Sequence, residues 1–139
     1  MFNIAKIVQD FWILKDDGLV LFSRVFHERV EDQLFGALLS ALNSFAQQVS
    51  EGGLSNFELS NKRFTLIKKG GLLFIANSSK NVKEKKIIQE LEVISQKFLE
   101  IYPENFFEEW DHDISIFQNF TSHIEDALED PIKKFWNNF

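Results

Sequence analysis

Apolar and polar residues along this chain follow two different periods, and the points where the period changes divide it into elements. Asp10–Lys15 (DFWILK) and Leu19–Phe26 (LVLFSRVF) are apolar runs of strand length. Asp16-Asp17-Gly18 separates them, and Asp-Gly at such a joint predicts a tight type I′ hairpin turn, because glycine accepts the positive φ required there. The runs are nearly continuous rather than alternating, which predicts a sheet covered on both faces. From Glu28 to Ser50 the period lengthens. Val30, Leu34, Ala37, Leu38, Ala41, Leu42, Phe45 and Val49 recur at helical spacing and predict one face of a helix packed on that sheet. Glu28, Glu31 and Asp32 suit the positive end of its dipole, and Gly52-Gly53 stops it.

Three strands are predicted next. Leu54–Asn61 alternates, with Phe57 and Leu59 on one side, as an edge strand does; Arg63–Lys68 follows, and then the continuous run Leu72–Asn77, which belongs in the centre. Val82–Tyr102 carries Ile87, Ile88, Leu91, Ile94, Phe98 and Ile101 at helical spacing and ends at Pro103. After the connector Asn105-Phe106-Phe107-Glu108-Glu109-Trp110, a further helix is expected from Asp113 to Leu128. The order is ββαβββαα. It predicts an α+β fold of three layers, α/β/α, whose five-stranded antiparallel sheet carries the first helix on one face and the later helices on the other. Residues 1–128 form one domain in this reading, and 129–139 form a C-terminal extension with room for a short helix. Its aromatic residues Phe135, Trp136 and Phe139 have two open readings, a staple over the last helix or a contact with a neighbour or membrane.

Composition narrows the classes. At 139 residues, with 45% apolar and 14% aromatic residues including sixteen Phe, the chain has the material for a core and is not a disordered one. It has no cysteine, which excludes disulfides, thiolate metal ligands and a cysteine nucleophile. No apolar run approaches the ~20 residues of a membrane span, and the N-terminus with Asp10 does not read as a signal peptide, so a cytoplasmic protein is expected. The net charge of −6 is unevenly spread. Lys62, Arg63, Lys68, Lys69, Lys80, Lys83, Lys85 and Lys86 make the middle basic, whereas the stretch from Glu90 to Asp130 is acidic with Lys97 its only cation. A net acidic chain without stacking aromatics among its cations does not fit nucleic acid.

Catalytic chemistry finds little to stand on. There is no GxxxxGK[ST] and no GxGxxG, and no nucleophile and orienting acid converge in sequence on His27, His112 or His123. Ser23 near His27 is the nearest approach to a pair. Asp111-His112-Asp113, with Glu108 and Glu109, offers oxygen ligands but reads as ordinary capping before a helix. No enzyme activity, cofactor or metal is expected. Two surface features remain. Lys80, Lys83, Lys85 and Lys86 gather at a helix start, where positive charge opposes the dipole, and form a candidate patch for an acidic partner or lipid. On the first helix, Phe35, Leu39 and Ala46 lie beyond one edge of the main apolar stripe and widen the arc past what one sheet requires. Either the sheet curls around the helix, or that flank meets a partner.

The element order resembles the longin domain over roughly residues 8–128, and FWILKDDGLVLFSRVF is the most family-like piece. Adaptor small chains, tethering-complex subunits and the permuted Roadblock family, within the wider profilin-like folds, share the layout. The resemblance implies a non-catalytic protein-interaction module in membrane traffic or small-GTPase regulation. Its partner would be a small GTPase, a trafficking factor or another longin- or Roadblock-like chain, in a homodimer or heterodimer. In such domains the first helix and the adjacent edge strand form the partner surface. This implies Phe35, Leu39, Ala46, Phe57 and Glu58 as partner-binding residues, with peripheral membrane contact through the lysines. No heptads or anchor follow, so fusion itself is not the expected role. The alternative is a small-molecule sensor of the PAS or profilin-like type, against which the single long helix and the Phe-rich core argue.

Overall fold

The computed structural model describes residues 7–25 and 31–124. Strands β1 (Asp10–Lys15) and β2 (Val20–Arg24) precede helix α1 (Asp32–Val49). Strands β3 (Asn56–Glu58), β4 (Lys62–Lys69) and β5 (Leu72–Ser79) follow. Helix α2 (Glu84–Ile101), two 3-10 segments (Glu104–Glu108 and Ile114–Phe120) and α3 (Thr121–Ile124) complete the described chain. The five strands form one antiparallel sheet in the order β2-β1-β5-β4-β3. The nearly continuous strands β1 and β5 lie inside it, and short β3 is an edge, as its alternation implies.

Strand alternation divides the core in two. Phe11, Ile13, Leu72, Phe74 and Ala76 face α2 and join Ile87, Leu91, Ile94, Phe98, Trp110, Phe117 and Phe120. Trp12, Leu14, Leu73 and Ile75 point the other way and join Leu39, Phe64 and Leu66 under α1. The α2 face is a lattice of rings. Phe98 meets Phe74, Phe117 and Phe120 at centroid distances of 5.9, 5.7 and 5.2 Å, the spacing at which aromatic pairs attract.

Two local expectations are corrected. The β1–β2 turn is not type I′: the Lys15 N–H donates to Leu19 O (2.9 Å) and the Gly18 N–H to Lys15 O (3.0 Å), closing a three-residue loop. Within this loop only Gly18 has positive φ, at 95°, whereas type I′ needs it at both central residues. Asp17 instead accepts the Leu19 N–H on its carboxylate (3.0 Å), and the extra residue is absorbed by a register shift between Ile13 and Leu14. The helix expected from Asp113 begins as a 3-10 segment and becomes α-helical only at Thr121. Side chains take two of the carbonyls an α-helix would use: Trp110 Nε1 donates to Asp113 O (3.0 Å) and the Tyr102 hydroxyl to Ile116 O (3.1 Å). His27, Val30, Leu128, the extension 129–139 and its aromatic residues lie outside the described residues.

Candidate functional site

Two glycines decide which side of α1 meets the sheet. A Cβ on Gly36 would lie 2.1 Å from Gly18 O and 2.8 Å from Val20 Cγ2, and one on Gly18 would lie 3.0 Å from Gly36 O. The hairpin loop and the helix backbone therefore touch with no side chain between them. Polar groups fasten the same seam. The Gln33 side chain donates to Val20 O (3.2 Å) and accepts the Val20 N–H (3.1 Å), while the Ser40 hydroxyl donates to Asp16 O (2.9 Å). Asn43 is buried and accepts the Leu54 N–H (3.1 Å), so burial leaves its carbonyl satisfied. At the N-terminus, Glu31 caps the helix by accepting from Gln33 and Leu34.

This seam overturns the expected orientation of α1. Leu39, read from the sequence as an outward flank, is 0% exposed beneath the helix. Phe35 is half-buried, its ring 4.4 Å from Trp12 and 6.1 Å from Phe64, and Ala46 is half-buried as well. The residues read as the core face are the ones in solvent: Leu34 63%, Leu38 56%, Leu42 38%, Phe45 69% and Val49 76% exposed, with Ala37 and Ala41 beside them. At about 100° per residue these form one stripe, ~22 Å long, on the flank opposite Gln33 and Ser40. From Gln33 to Ser50 the helix has no charged side chain. The sequence does hold a signal for this orientation. Gly36 inside a helix costs about 1 kcal/mol against alanine, which marks a close backbone approach, and Gln33, Ser40 and Asn43 share its side of the helix.

The remaining expected site residues sit elsewhere. Phe57 is half-buried and stacks on Phe64 at 4.6 Å with the rings nearly parallel. Glu58, on the β3 edge, is engaged by two cations, Arg63 Nε at 3.0 Å and Lys80 Nζ at 3.4 Å. Arg63 also donates to Val82 O (3.0 Å) and Lys80 O (3.4 Å), and Asn56 reaches Glu84 Oε1 (3.1 Å). Guanidinium and carboxylate thus clamp the β3–β4 turn to the β5–α2 loop. The structure separates the lysines: Lys80 joins this clamp, whereas Lys83, Lys85 and Lys86 extend from the start of α2, whose cap Lys83 makes no side-chain capping bond.

The Arg63 hydrogen bond, with help from Lys80, holds the Glu58 carboxyl below its ordinary range. A lowered folded-state pKa stabilises the fold above the unfolded value, and that contribution is lost as pH falls through the folded one. We therefore expect the protection of the Leu59 amide, corrected for the intrinsic pH dependence of exchange, to fall only below the ordinary glutamate range, and Glu58→Gln to flatten that dependence.

Ser23 donates to Asp32 Oδ2 (2.5 Å), so its hydroxyl is tied to the start of α1. His112, at φ 70°, stacks on Trp110 at 5.1 Å, and His123 stacks on Phe120 at 5.9 Å. Asp111 and Asp113 accept backbone N–H groups from Asp113 and Ser115 (3.0 and 2.9 Å). The Ser115 bonds hold the Asp113 carboxyl below its ordinary value. Among the described residues, no group of three or more His, Asp or Glu side chains is placed to hold a metal ion. Among them too, no helix is long and apolar enough to cross a membrane.

The profile of a family described as the first longin domain of FUZ, MON1 and HPS1 matches residues 9–107. No curated protein matches the chain. Among solved structures it is similar to a Roadblock/LC7 domain from Streptomyces avermitilis, with a TM-score of 0.52 at 13% identity over 67% of this chain and 87% of that one. It is also similar to MglB from Myxococcus xanthus, with a TM-score of 0.50 at 11% identity over 66% of this chain and 83% of that one. The gliding protein MglB from Thermus thermophilus gives a TM-score of 0.50 at 8% identity over 60% of this chain and 70% of that one. At these identities the likeness establishes the fold.

Proposed function

This chain belongs to the family of the first longin domain of FUZ, MON1 and HPS1, and on that premise we propose that it is a non-catalytic protein-interaction module. Its docking face is the solvent side of α1, and its occupant is a second copy of the chain. One observation carries the reading: a helix with five large apolar side chains in solvent and no charge from Gln33 to Ser50. Interface cores are depleted in charge and enriched in such residues, and exposed apolar stripes of this length mark contact surfaces. The missing charge also favours self-pairing, because a two-fold axis through an uncharged helix sets no like charges against each other.

Leu34, Leu38, Leu42, Phe45 and Val49 therefore replace Leu39 as the contact residues, with Phe35 and Ala46 supporting them from the buried side. Phe57 supports the same core face through Phe64. A sensor role gains no support from the interior, where rings pack on one another across the α2 face.

Light scattering coupled to size exclusion tests the pairing. The wild-type chain is expected to dimerise at micromolar concentration, and Leu38→Asp/Phe45→Asp to weaken the dimer at least ~30-fold, the scale of one interface hot spot. Its circular dichroism should be unchanged. A wild-type chain that stays monomeric at high micromolar concentration overturns self-pairing. If the same variants then lose a small GTPase or trafficking factor, the face serves a heterologous partner instead.

A further inference from the structure

At the end of the sheet where β3 turns into β4 and β5 leads into α2, two loops form one surface. Lys62 lies opposite Ser79 in the β4–β5 register, and the Leu59 N–H donates to Lys62 O (2.8 Å). The hairpin tip Leu59-Ser60-Asn61 therefore sits beside the loop that carries Lys80 and Lys83. Arg63 holds the two together through Glu58, Lys80 O and Val82 O. Leu59 is 53% exposed at the tip. Lys80 and Lys83 belong to the adjoining loop, and Lys85 and Lys86 follow in the first turn of α2; all four are exposed. The acids on this surface are already engaged, Glu58 by Arg63 and Lys80 and Glu84 by Asn56. The Lys62 amine bonds Gln9.

We infer that this end of the sheet docks on an anionic membrane surface, with Leu59 entering the headgroup region and Lys83, Lys85 and Lys86 at the start of α2 meeting lipid phosphates and carboxylates. The chemistry favours a membrane over an acidic protein. Protein interfaces rely on arginine and aromatic anchors and are depleted in lysine. Here the one arginine is consumed internally and no aromatic side chain is offered. Long, flexible ammonium groups beside an apolar hairpin tip suit mobile lipid charges, which need no fixed bidentate geometry. The lysines at the start of α2 also oppose its dipole and leave its cap unmade, which stability alone does not explain. This surface is distinct from the α1 stripe, so a dimer could carry two of them.

The test is co-sedimentation of the purified chain with vesicles of phosphatidylcholine alone and of phosphatidylcholine with phosphatidylserine, at low and physiological salt. Binding is expected only to the anionic vesicles and is expected to fall as salt rises. Lys83→Ser/Lys85→Gln/Lys86→Gln should lower it about 100-fold, at about fivefold per lysine. Serine at the cap strengthens α2, so that loss cannot come from unfolding. Leu59→Ser should lower binding about tenfold by removing the apolar tip, while Leu38→Asp/Phe45→Asp should leave the lipid preference unchanged. Equal binding to both vesicle types, no binding to either, or no loss in the lysine variant overturns the inference. Complete competition by inorganic phosphate at moderate concentration does so as well, because it would reveal a discrete anion site.

Discussion

Leu39→Asp is expected to abolish folding, whereas Leu38→Asp, at the next position of the same helix, is expected to leave the fold intact. Leu39 is fully buried beneath α1, in the cluster that holds Trp12, Leu14, Phe64, Leu66, Leu73 and Ile75. The residues of that cluster are all apolar, so none of them offers a carboxylate a cation. It would lose its hydration or take up a proton, and it would also remove a large core side chain, for a combined cost above about 4 kcal/mol. Domains of this size are stable by ~5–15 kcal/mol in total, so the far-ultraviolet dichroism should show an unfolded or barely folded chain. Leu38, 56% exposed, loses only solvent-facing surface, and its variant should unfold within about 0.5 kcal/mol of the wild-type monomer in urea. The comparison must be made at low concentration, because a dimer adds apparent stability that grows with concentration. A folded Leu39→Asp chain, or an unfolded Leu38→Asp chain, would reverse the orientation of α1.

Gly36→Ala is expected to destabilise the protein by about 2 kcal/mol net, although alanine is the better helix former by about 1 kcal/mol. The added methyl would stand 2.1 Å from the Gly18 carbonyl oxygen. That atom is backbone, in a turn whose positive φ at Gly18 leaves it little freedom. Relief requires the hairpin and helix to move apart, which stretches the Gln33 and Ser40 bonds to β2 and the turn. The sign of the change in urea midpoint is the test, because propensity alone would make the variant more stable. Gly52 lies in open space, and Gly52→Ala serves as the control without a close neighbour.

The element order, the antiparallel sheet, β3 as an edge and the two covered faces were legible because each rests on local periodicity. Strand residues alternate faces whatever lies beyond them, and Phe11/Ile13 against Trp12/Leu14 sort correctly on that rule alone. The hairpin turn was less legible. Asp-Gly is compatible with a two-residue and a three-residue loop, and the choice fell to the Asp17 carboxylate and a register shift. The late helix began as 3-10 because Trp110 and Tyr102, from earlier in the chain, take its carbonyls. No local pattern reports that competition.

The binding face shows the division most clearly. Residue order alone shows that α1 has more apolar surface than one sheet can cover, that the helix has no charge from Gln33 to Ser50, and that lysines gather before α2. Which side of α1 is covered depends on how the helix meets the hairpin in the folded chain. Hydrophobic periodicity measures how wide an apolar arc is, but two backbones approach where side chains are absent. The contact of Gly36 with Gly18, fastened by Gln33 and Ser40, turned Leu39 inward and left Leu34, Leu38, Leu42, Phe45 and Val49 in solvent.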